Sequence, residues 1–297
     1  MAAARADAGL LFAPVPALLP VGRVPVVCTI HDATPLTAPS HSRPVVWQQQ
    51  YFLRAAARRS KRIITVSECS KADLVNVLGL PEERIQVVYN GVDKTVFHEQ
   101  PASEEEQRQL LNKIGVKRRY IFHHGTIQPR KNLVRLIQAY RLLRAKNPNL
   151  DLDLVLVGAL GWQYEETVRI AKRDGRGRVI LAGTLEDQEI ALLLKGASLV
   201  VVPSLYEGFC LPMVEAMACG APVIAAKTSC LPEISGGVLR YFDPLAIEDM
   251  AACMEQVLED SSVRNSLIER GRQQAARFDW RRCAQETLAV LRQTAHS

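Results

Sequence analysis

The feature that most constrains this chain is a repeated alternation of short, mostly apolar runs with longer amphipathic segments. The short runs are rich in β-branched residues, and several are apolar throughout rather than alternating, as parallel strands covered on both faces require. Nine of these runs are predicted strands: Val24–Thr29, Arg62–Val66, Arg84–Val88, Tyr120–His123, Leu152–Val157, Val179–Leu181, Leu199–Val202, Val223–Ala225 and Leu239–Phe242. Strands that alternate with helices indicate an α/β fold with parallel sheets.

The amphipathic segments predict the helices and the domain organisation. Six lie among the strands and two follow the last of them: Val45–Arg59, Lys71–Leu78, Asn132–Ala145, Glu165–Arg173, Asp187–Leu194, Leu211–Ala218, Ile247–Leu258 and Trp280–Arg292. A polar stretch around Glu104-Glu105-Glu106 breaks the pattern and predicts a linker with a short solvated helix. We therefore expect one domain over residues 1–95, a linker over 96–117, a second domain over 118–276 and a terminal helix within 277–297.

Length and composition exclude several classes of protein. A chain of 297 residues suggests two domains, and 48% hydrophobic residues are too many for a disordered chain. No apolar run reaches the ~18 residues of a membrane span. The stretch Leu10–Val21 is apolar, but three prolines interrupt it and Asp7 precedes it, so it matches a signal peptide poorly.

Charge and cysteine content point to an intracellular protein that binds anions. The chain has 37 basic and 31 acidic residues, a net charge of +6 that suits anionic substrates or an anionic membrane better than nucleic acid. Arg54, Arg58 and Lys61 or Arg62 share one helical face that could contact anionic lipid or a phosphorylated acceptor, although such a run is more often a solvated face. The seven cysteines are odd in number and form no C-x-x-C, which favours reduced thiols in the cytosol.

The strongest candidate for chemistry is the segment E-G-F-C-L-P-M-V-E-A-M-A-C-G, residues 207–220, between a predicted strand and helix. Pro212 suits a first helical turn, Gly208 permits close backbone approach, and the helix N-terminus attracts phosphate. Glu215 could accept two hydrogen bonds from a vicinal diol such as that of ribose, and Glu207 could reach another hydroxyl. The alternative is a plain helix cap with a solvated glutamate.

A second candidate segment is G-T-I-Q-P-R-K-N, residues 125–132, after another strand. Gly125 allows a tight turn, and Arg130 with Lys131 could neutralise a diphosphate. The alternative, a solvated basic turn, has the better odds for this segment alone.

Other polar residues have simpler interpretations. His31 follows a strand at the edge where α/β proteins usually bind ligands, but it could simply cap a loop. Ser67 predicts a helix N-cap, and Asn90-Gly91 predicts a tight turn. The motif Asp151-Leu152-Asp153 begins a strand and has no further oxygen ligands nearby, so we predict no metal site.

Taken in chain order, these motifs resemble the retaining glycosyltransferases of family four. The matching motifs are T-I-H-D, I-I-T-V-S, Y-N-G-V-D, G-T-I-Q-P-R-K-N, L-V-L-V-G and E-G-F-C-L-P-M-V-E-A-M-A-C-G-A-P-V-I, and they span about residues 24–294. The two glutamates with G-F and L-P between them are the most specific element. The resemblance implies the GT-B fold, which has two Rossmann-like α/β domains with parallel sheets.

The resemblance also implies a role for each matching residue. Glu207 would contact the donor sugar, Glu215 the ribose, and Arg130 with Lys131 the diphosphate. His31 would face the donor sugar from the first domain, and the adjacent Asp32 matches a family position of less certain role. The implied catalytic residues are His31, Arg130, Lys131 and Glu207, and the implied donor-binding residues are Gly125, Thr126, Gly158, Thr184, Leu185, Gly208, Phe209, Cys210, Leu211 and Glu215.

The activity that the resemblance implies is retaining transfer of a sugar from a GDP- or UDP-linked donor, with no metal or further cofactor. The acceptor would be a glycan or a lipid-linked molecule of cell-surface polysaccharide synthesis. The variant G-T-x-x-P-R-K-N resembles bacterial mannosyltransferases, which favours GDP-mannose. A cytoplasmic protein, peripheral at the inner membrane face, is expected, with a homo-oligomer or a complementing chain as a partner and no nucleic acid.

The sequence departs from the family pattern in three places. Residues 1–78 contain only Gly9 and Gly22, so the first domain is expected to lack the family's opening strands and glycine-rich loop. Thr126 stands where many members have Arg, and Cys210 replaces a common Gly. The alternatives are therefore an incomplete nucleotide-sugar-binding module or fragment that needs a partner chain and, without a G-x-G-x-x-G fingerprint, a less favoured dinucleotide-binding protein.

Overall fold

A computed structural model describes residues 9–17, 19, 22–38, 41–173, 175 and 177–296. The chain divides into two compact units, and neither of them is one continuous stretch of sequence. The first comprises Met1–Gly91, Glu207–Phe209 and Phe278–Ser297, and the second comprises Val92–Tyr206 and Cys210–Arg277.

The first unit is built on a four-stranded parallel sheet with the strand order β1-β2-β3-β4. Its strands are β1 Leu11–Ala13, β2 Val26–Thr29, β3 Arg62–Thr65 and β4 Ile85–Val87. Its helices are α1 Thr34–Thr37, α2 Arg43–Arg59, α3 Glu68–Leu78 and the terminal α12 Trp280–Ala295. Thus α12 returns to the first unit after the whole of the second.

Both faces of the first sheet are covered, which explains why the middle of each central strand is apolar. On one face Cys28 and Ile63 pack in a cluster that includes Leu53 of α2. On the other face Val27 and Ile64 pack with Val290 of α12. Neighbouring residues of a strand point to opposite faces, so a strand between two layers has few positions for a polar side chain.

Two expectations for the first unit are wrong. The proline-interrupted stretch that begins at Leu10 contains a strand, Leu11–Ala13, paired in parallel with β2. Asn90-Gly91 forms no tight turn. Gly91 is instead a point of close approach, since a Cβ there would lie 2.2 Å from the backbone nitrogen of Trp280.

The second unit is built on a six-stranded parallel sheet with the strand order β10-β9-β8-β5-β6-β7. Its strands are β5 Arg119–His124, β6 Leu152–Val157, β7 Arg178–Gly183, β8 Leu199–Val202, β9 Val223–Ala226 and β10 Arg240–Phe242. Its helices are α4 Glu104–Ile114, α5 Leu133–Lys146, α6 Glu165–Lys172, α7 Asp187–Gly196, α8 Leu211–Ala218, α9 Leu231–Ile234, α10 Ile247–Glu259 and α11 Ser261–Ala275. From β5 the chain adds strands first on one side and then on the other, so the order reverses between β5 and β8.

The long helix that the sequence pattern missed, α11, is mostly polar. Its narrow buried side includes Leu267 and Ala275, so its periodicity is weak. Its N-cap is nevertheless visible, because the Asp260 carboxylate accepts hydrogen bonds from the amides of Ser262 and Val263. The short solvated helix that the sequence predicts within the linker is present as α4, which begins after the cap Ser103 and buries Leu110.

The predicted α/β fold class with parallel sheets is confirmed, and every strand predicted from the sequence is present. Among the described residues, no helix combines the length and the apolar character that crossing a bilayer requires.

Candidate active site

The second unit places its candidate site at the reversal point of its sheet. In open α/β sheets, ligands bind beyond the carboxyl ends of the strands at such a point. The two strands that meet there are β5 and β8. The strand β5 is followed by residues 125–132, a segment that the sequence singles out, and β8 is followed by the loop that begins at Pro203.

Glycines bring the backbones of neighbouring loops together at this edge. Gly158 follows β6 with φ of 147°, and a Cβ there would lie 2.1 Å from the carbonyl oxygen of Gly125. The amide of Gly158 donates to the carbonyl of Gly183 at 2.8 Å, just before Thr184 and Leu185 at the start of the next loop. Three consecutive strand ends therefore present backbone to a ligand without side chains in the way.

Lys131 is folded back over the loop that follows β5. It is only 7% exposed, and its Nζ lies 3.5 Å from where a Cβ of Gly125 would be. The loop is shaped by Asn132, which has φ of 57° and whose side-chain amide donates to the carbonyls of Pro203 and Pro244. A largely desolvated ammonium thus sits at the carboxyl end of β5.

Arg130 points elsewhere. Its guanidinium donates to the carbonyl of Tyr206, and its own carbonyl accepts a hydrogen bond from the amide of Leu205 at 2.8 Å. These contacts tie the loop after β5 to the loop after β8. In this conformation Arg130 orders the site, and its expected contact with a diphosphate remains a prediction.

The helix α8 supplies backbone amides and one carboxylate. Its N-cap, Cys210, has φ of 72°, so the residue that replaces a common glycine adopts the left-handed conformation that glycine favours. Pro212 lies in the first turn, as predicted. Glu215 lies one turn inside the helix, and burial raises the pKa of its carboxyl to about 7. Asp187 raises this pKa further and Lys131 lowers it.

Two histidines that the sequence analysis did not select complete this cluster. The Nε2 of His124 lies 3.7 Å from a carboxylate oxygen of Glu215 and 3.3 Å from the carbonyl of Pro212. Burial, with the nearby His123 and Lys131, lowers the pKa of His124 to about 3, so its imidazole is neutral and donates to Pro212. The ring of His123 is held by the carbonyl of Val201 at 2.9 Å. The position of these two histidines at the end of an apolar strand is the sequence signal by which they could have been selected.

The first unit assembles its own group of predicted residues. His31 and Asp32 follow β2, and the three-residue loop Glu207–Phe209 belongs to the same unit. A Cβ at Gly208 would lie 2.8 Å from the Cβ of Asp32 and 3.0 Å from the carbonyl oxygen of His31. Only glycine allows this approach, which brings Glu207, itself 6% exposed, into the same region.

Ser67 fixes the position of this loop. Its hydroxyl donates to the carbonyl of Gly208 at 2.6 Å, and Ser70 lies 3.3 Å from the same carbonyl. The Ser67 oxygen also accepts from the amide of Ser70 at 3.0 Å, so the predicted N-cap of α3 is confirmed. Phe209 packs edge-on against Phe278, with ring centroids 5.3 Å apart. The loop is therefore held through both its backbone and its aromatic side chain.

A cavity of about 220 Å³ opens beside these residues in the first unit. It is lined by Pro16, His31, Asp32, Pro35, Gln49, Phe52 and Leu53. Its volume is smaller than the pockets that bind drug-sized ligands. An aromatic ring, an amide and a carboxylate are the groups that would hold one small polyhydroxylated ring.

Comparison with known proteins identifies the family. A family model described as "Glycosyl transferases group 1" matches residues 103–274, more than half of the chain, and one described as "Glycosyltransferase Family 4" matches residues 6–96. The chain belongs to the glycosyl transferases group 1 family, and its class is that of the glycosyltransferases. The resemblance inferred from the sequence motifs is confirmed.

Among its relatives, O-antigen chain mannosyltransferase B of Escherichia coli is 32% identical over 265 residues, which cover 88% of this chain and 68% of that protein. The MMP alpha-(1->4)-mannosyltransferase of Mycolicibacterium hassiacum is 30% identical, over 90% of this chain and 64% of that one. Serotype-specific mannosyltransferase WbdA of Escherichia coli is 28% identical, over 88% of this chain and 33% of that one. The chain thus spans about two thirds of two relatives and one third of the other.

Solved structures show the same fold. Sucrose-phosphate synthase of Thermosynechococcus elongatus matches with a TM-score of 0.74 and 22% identity, over 90% of this chain and 67% of that one. Anabaena Alr3699/HepE in complex with UDP-glucose matches with a TM-score of 0.73 and 23% identity, over 90% of this chain and 72% of that one. The expected GT-B fold is therefore confirmed.

Proposed function

We propose that this chain transfers mannose, with retention of anomeric configuration, from a nucleoside diphosphate donor to a glycan or lipid-linked acceptor of cell-surface polysaccharide. GDP-mannose is the first choice of donor, and a UDP-linked sugar is the second. The observation that carries the proposal is that the buried Lys131 and the largely buried Glu215 share the sheet reversal of the second unit, where Lys131 lowers the pKa of Glu215. The names of the mannosyltransferase relatives support the choice of sugar.

Departure of the nucleoside diphosphate is the step that this site favours. Cleavage of the bond between the sugar and the diphosphate leaves negative charge on phosphate and positive charge on the sugar ring. The ammonium of Lys131 and the amides at the start of α8 would stabilise the phosphate charge, since both are already in place before the reaction. We propose that these groups make a divalent cation unnecessary, so turnover should persist in EDTA.

The carboxylates would bind hydroxyl groups of the donor. Glu215 would accept hydrogen bonds from the ribose, and Glu207 from the sugar. His31, at the carboxyl end of β2, would face the sugar on the side of the first unit. The departing phosphate would then take the proton of the attacking acceptor hydroxyl, which places the new bond on the face that the leaving group vacates.

The cavity beside His31 is the proposed binding site for the acceptor sugar. Phe52 offers an apolar surface to the ring, and Gln49 can both donate and accept hydrogen bonds. Asp32 lies next to Gly208 of the donor loop, so an acceptor in this cavity would be close to the sugar held by Glu207. We also propose that the chain works at the cytoplasmic face of a membrane, where a lipid-linked acceptor would be found.

Calorimetric titration with GDP and UDP tests the donor site, and release of nucleoside diphosphate from GDP-mannose tests turnover. We expect one nucleotide to bind, and we expect Glu215→Ala to weaken that binding at least tenfold. Exposed Glu259→Ala, on α10, is the matched control. Absence of binding by folded protein would overturn the proposal, whereas binding without turnover would favour a nucleotide-sugar-binding module that needs another chain.

A further inference from the structure

Helix α2 has one covered side and one uncovered side. Leu53, Ala56 and Ala57 are buried, and Leu53 and Ala56 pack in the core beneath the first sheet. The opposite side carries Trp47 and Tyr51 at a spacing of four residues. This spacing places both on one helical face.

The uncovered side is aromatic. Trp47 is 70% exposed and Tyr51 is 51% exposed. Their rings lie nearly parallel, with centroids 6.0 Å apart and an angle of 14° between the planes. Two adjacent exposed aromatic rings form an apolar patch, and such patches commonly mark a binding surface, whereas single exposed rings do not.

The same side is basic. Arg54 and Arg58 continue the face one and two turns beyond Tyr51, and both are exposed. A shallow groove of about 540 Å³ runs along the face and is lined by Trp47, Tyr51, Arg54, Ala55, Arg58 and Arg59. No acidic residue occurs between Asp32 and Glu68, whereas six Lys or Arg residues do.

This combination fits an anionic phospholipid surface. Indole and phenol rings favour the boundary between head groups and acyl chains, and arginines at the same depth pair with lipid phosphates. The lack of acidic residues in the segment that carries this helix limits repulsion from those phosphates. Arg59 contributes less, because its guanidinium donates to the carbonyls of Gly22 and Val24 within the unit.

We propose that the face formed by Trp47, Tyr51, Arg54 and Arg58 docks the first unit onto a membrane rich in anionic phospholipid. This deepens the membrane part of the proposed function but does not depend on turnover. Docking would hold the cavity beside His31 close to the bilayer, since Gln49 and Phe52 of that cavity belong to the same helix. A lipid-linked acceptor would then reach the cavity without leaving the membrane.

Flotation with vesicles tests this inference, with one set of phosphatidylcholine alone and another containing about one third phosphatidylglycerol. We expect the full chain to float with the anionic vesicles and not with the neutral ones, and to dissociate in high salt. Arg54→Glu with Arg58→Glu should lower the bound fraction at least tenfold, and so should Trp47→Ala with Tyr51→Ala. The emission of Trp47 is obtained as the difference between the spectra of the unmodified chain and Trp47→Phe. This emission should shift to shorter wavelength when anionic vesicles are added.

The matched controls make the same kinds of substitution, a double charge reversal and the removal of an exposed indole ring, outside this face. Lys172→Glu with Arg173→Glu reverses two exposed charges in the second unit, and Trp162→Ala removes another exposed indole. We expect both controls to float like the unmodified chain, and thermal unfolding must show that every variant is folded.

Absence of flotation with anionic vesicles would overturn the proposal. Equal losses of binding in the control variants would overturn it as well. So would a single-stranded oligonucleotide that binds this face and displaces the vesicles at the same ionic strength. GDP binding, measured in parallel, reports on the donor site separately.

Discussion

The titratable residues at the sheet reversal of the second unit are largely enclosed, whereas several residues around the cavity of the first unit are open to solvent. Lys131 is buried, and burial shifts the pKa values of Glu215 and His124 in opposite directions. His31 is exposed, and Phe52 is only half-buried. Under the proposed function this difference would correspond to two tasks. A buried charge in a fixed position would suit one constant ligand, the nucleotide, and an open cavity would suit a variable acceptor.

The largest effect is expected from Lys131→Ala. Removal of an ion that stabilises the leaving group should slow turnover by about 10²–10³-fold. Release of nucleoside diphosphate from the donor measures this loss, with Lys172→Ala as a control for an exposed lysine of the same unit. If Lys131→Ala keeps a third of the activity, the charge that stabilises the departing phosphate lies elsewhere.

A smaller effect is expected from Ser67→Ala, which removes both the cap of α3 and the hydrogen bond to Gly208. Loss of an N-cap costs about 1 kcal/mol of folding stability, and the buried carbonyl loses its best partner. Because the loop carries Glu207, turnover should fall about tenfold while the affinity of the second unit for nucleotide stays unchanged. Ser67→Thr keeps the hydroxyl and should restore turnover. A lower melting temperature with unchanged turnover would mean that Ser67 acts only as a helix cap and does not position the loop that carries Glu207.

The raised pKa of Glu215 predicts how nucleotide binding varies with pH. With a pKa of about 7, the carboxyl is mostly protonated at pH 6 and mostly ionised at pH 8. Only the ionised form accepts hydrogen bonds through both oxygens, so affinity should rise about tenfold over this range. Calorimetry at both pH values measures the change, and Glu215→Gln should remove it. A flat profile for the unmodified chain would mean that ribose does not contact this carboxylate.

The smallest effect is expected in the open cavity. Phe52→Ala should raise the acceptor KM about fivefold, the equivalent of one aromatic contact, with donor binding unchanged. Initial rates at varied concentrations of a methyl mannoside as the acceptor measure this KM. Phe12→Ala, on β1 outside the cavity, is the control. If Phe52→Ala changes kcat alone, the cavity does not bind the acceptor.

The sequence carried enough information to locate all nine predicted strands and the helix Leu211–Ala218. Strands buried on both faces are mostly apolar, and such runs are visible without structural data. The strand Leu11–Ala13 was missed because prolines follow it directly and only Ala13 is buried. The helix α11 was missed because its buried side is narrow.

The composition of the site could be predicted better than its contacts. The motifs located both loops, but no local pattern relates Ser67 to Gly208, which is 141 residues away. The burial that controls Glu215 and His124 is likewise a property of the folded chain. The left-handed conformation of Cys210 is likewise set by the folded chain, since a cysteine in the sequence does not indicate a positive φ.

The path of the chain limits how this protein can be recombined with its relatives. The first unit consists of three separate stretches, one of which is only the loop Glu207–Phe209. A chimera joined once, at Gly91, would receive a foreign loop opposite His31 and a foreign helix α12 beneath its own sheet. Under the proposed function, an exchange of acceptor specificity by homologous recombination would therefore work best when residues 207–209 and 278–297 are exchanged together with residues 1–91. The unit that must be exchanged together would then be a set of three segments rather than a continuous half of the gene.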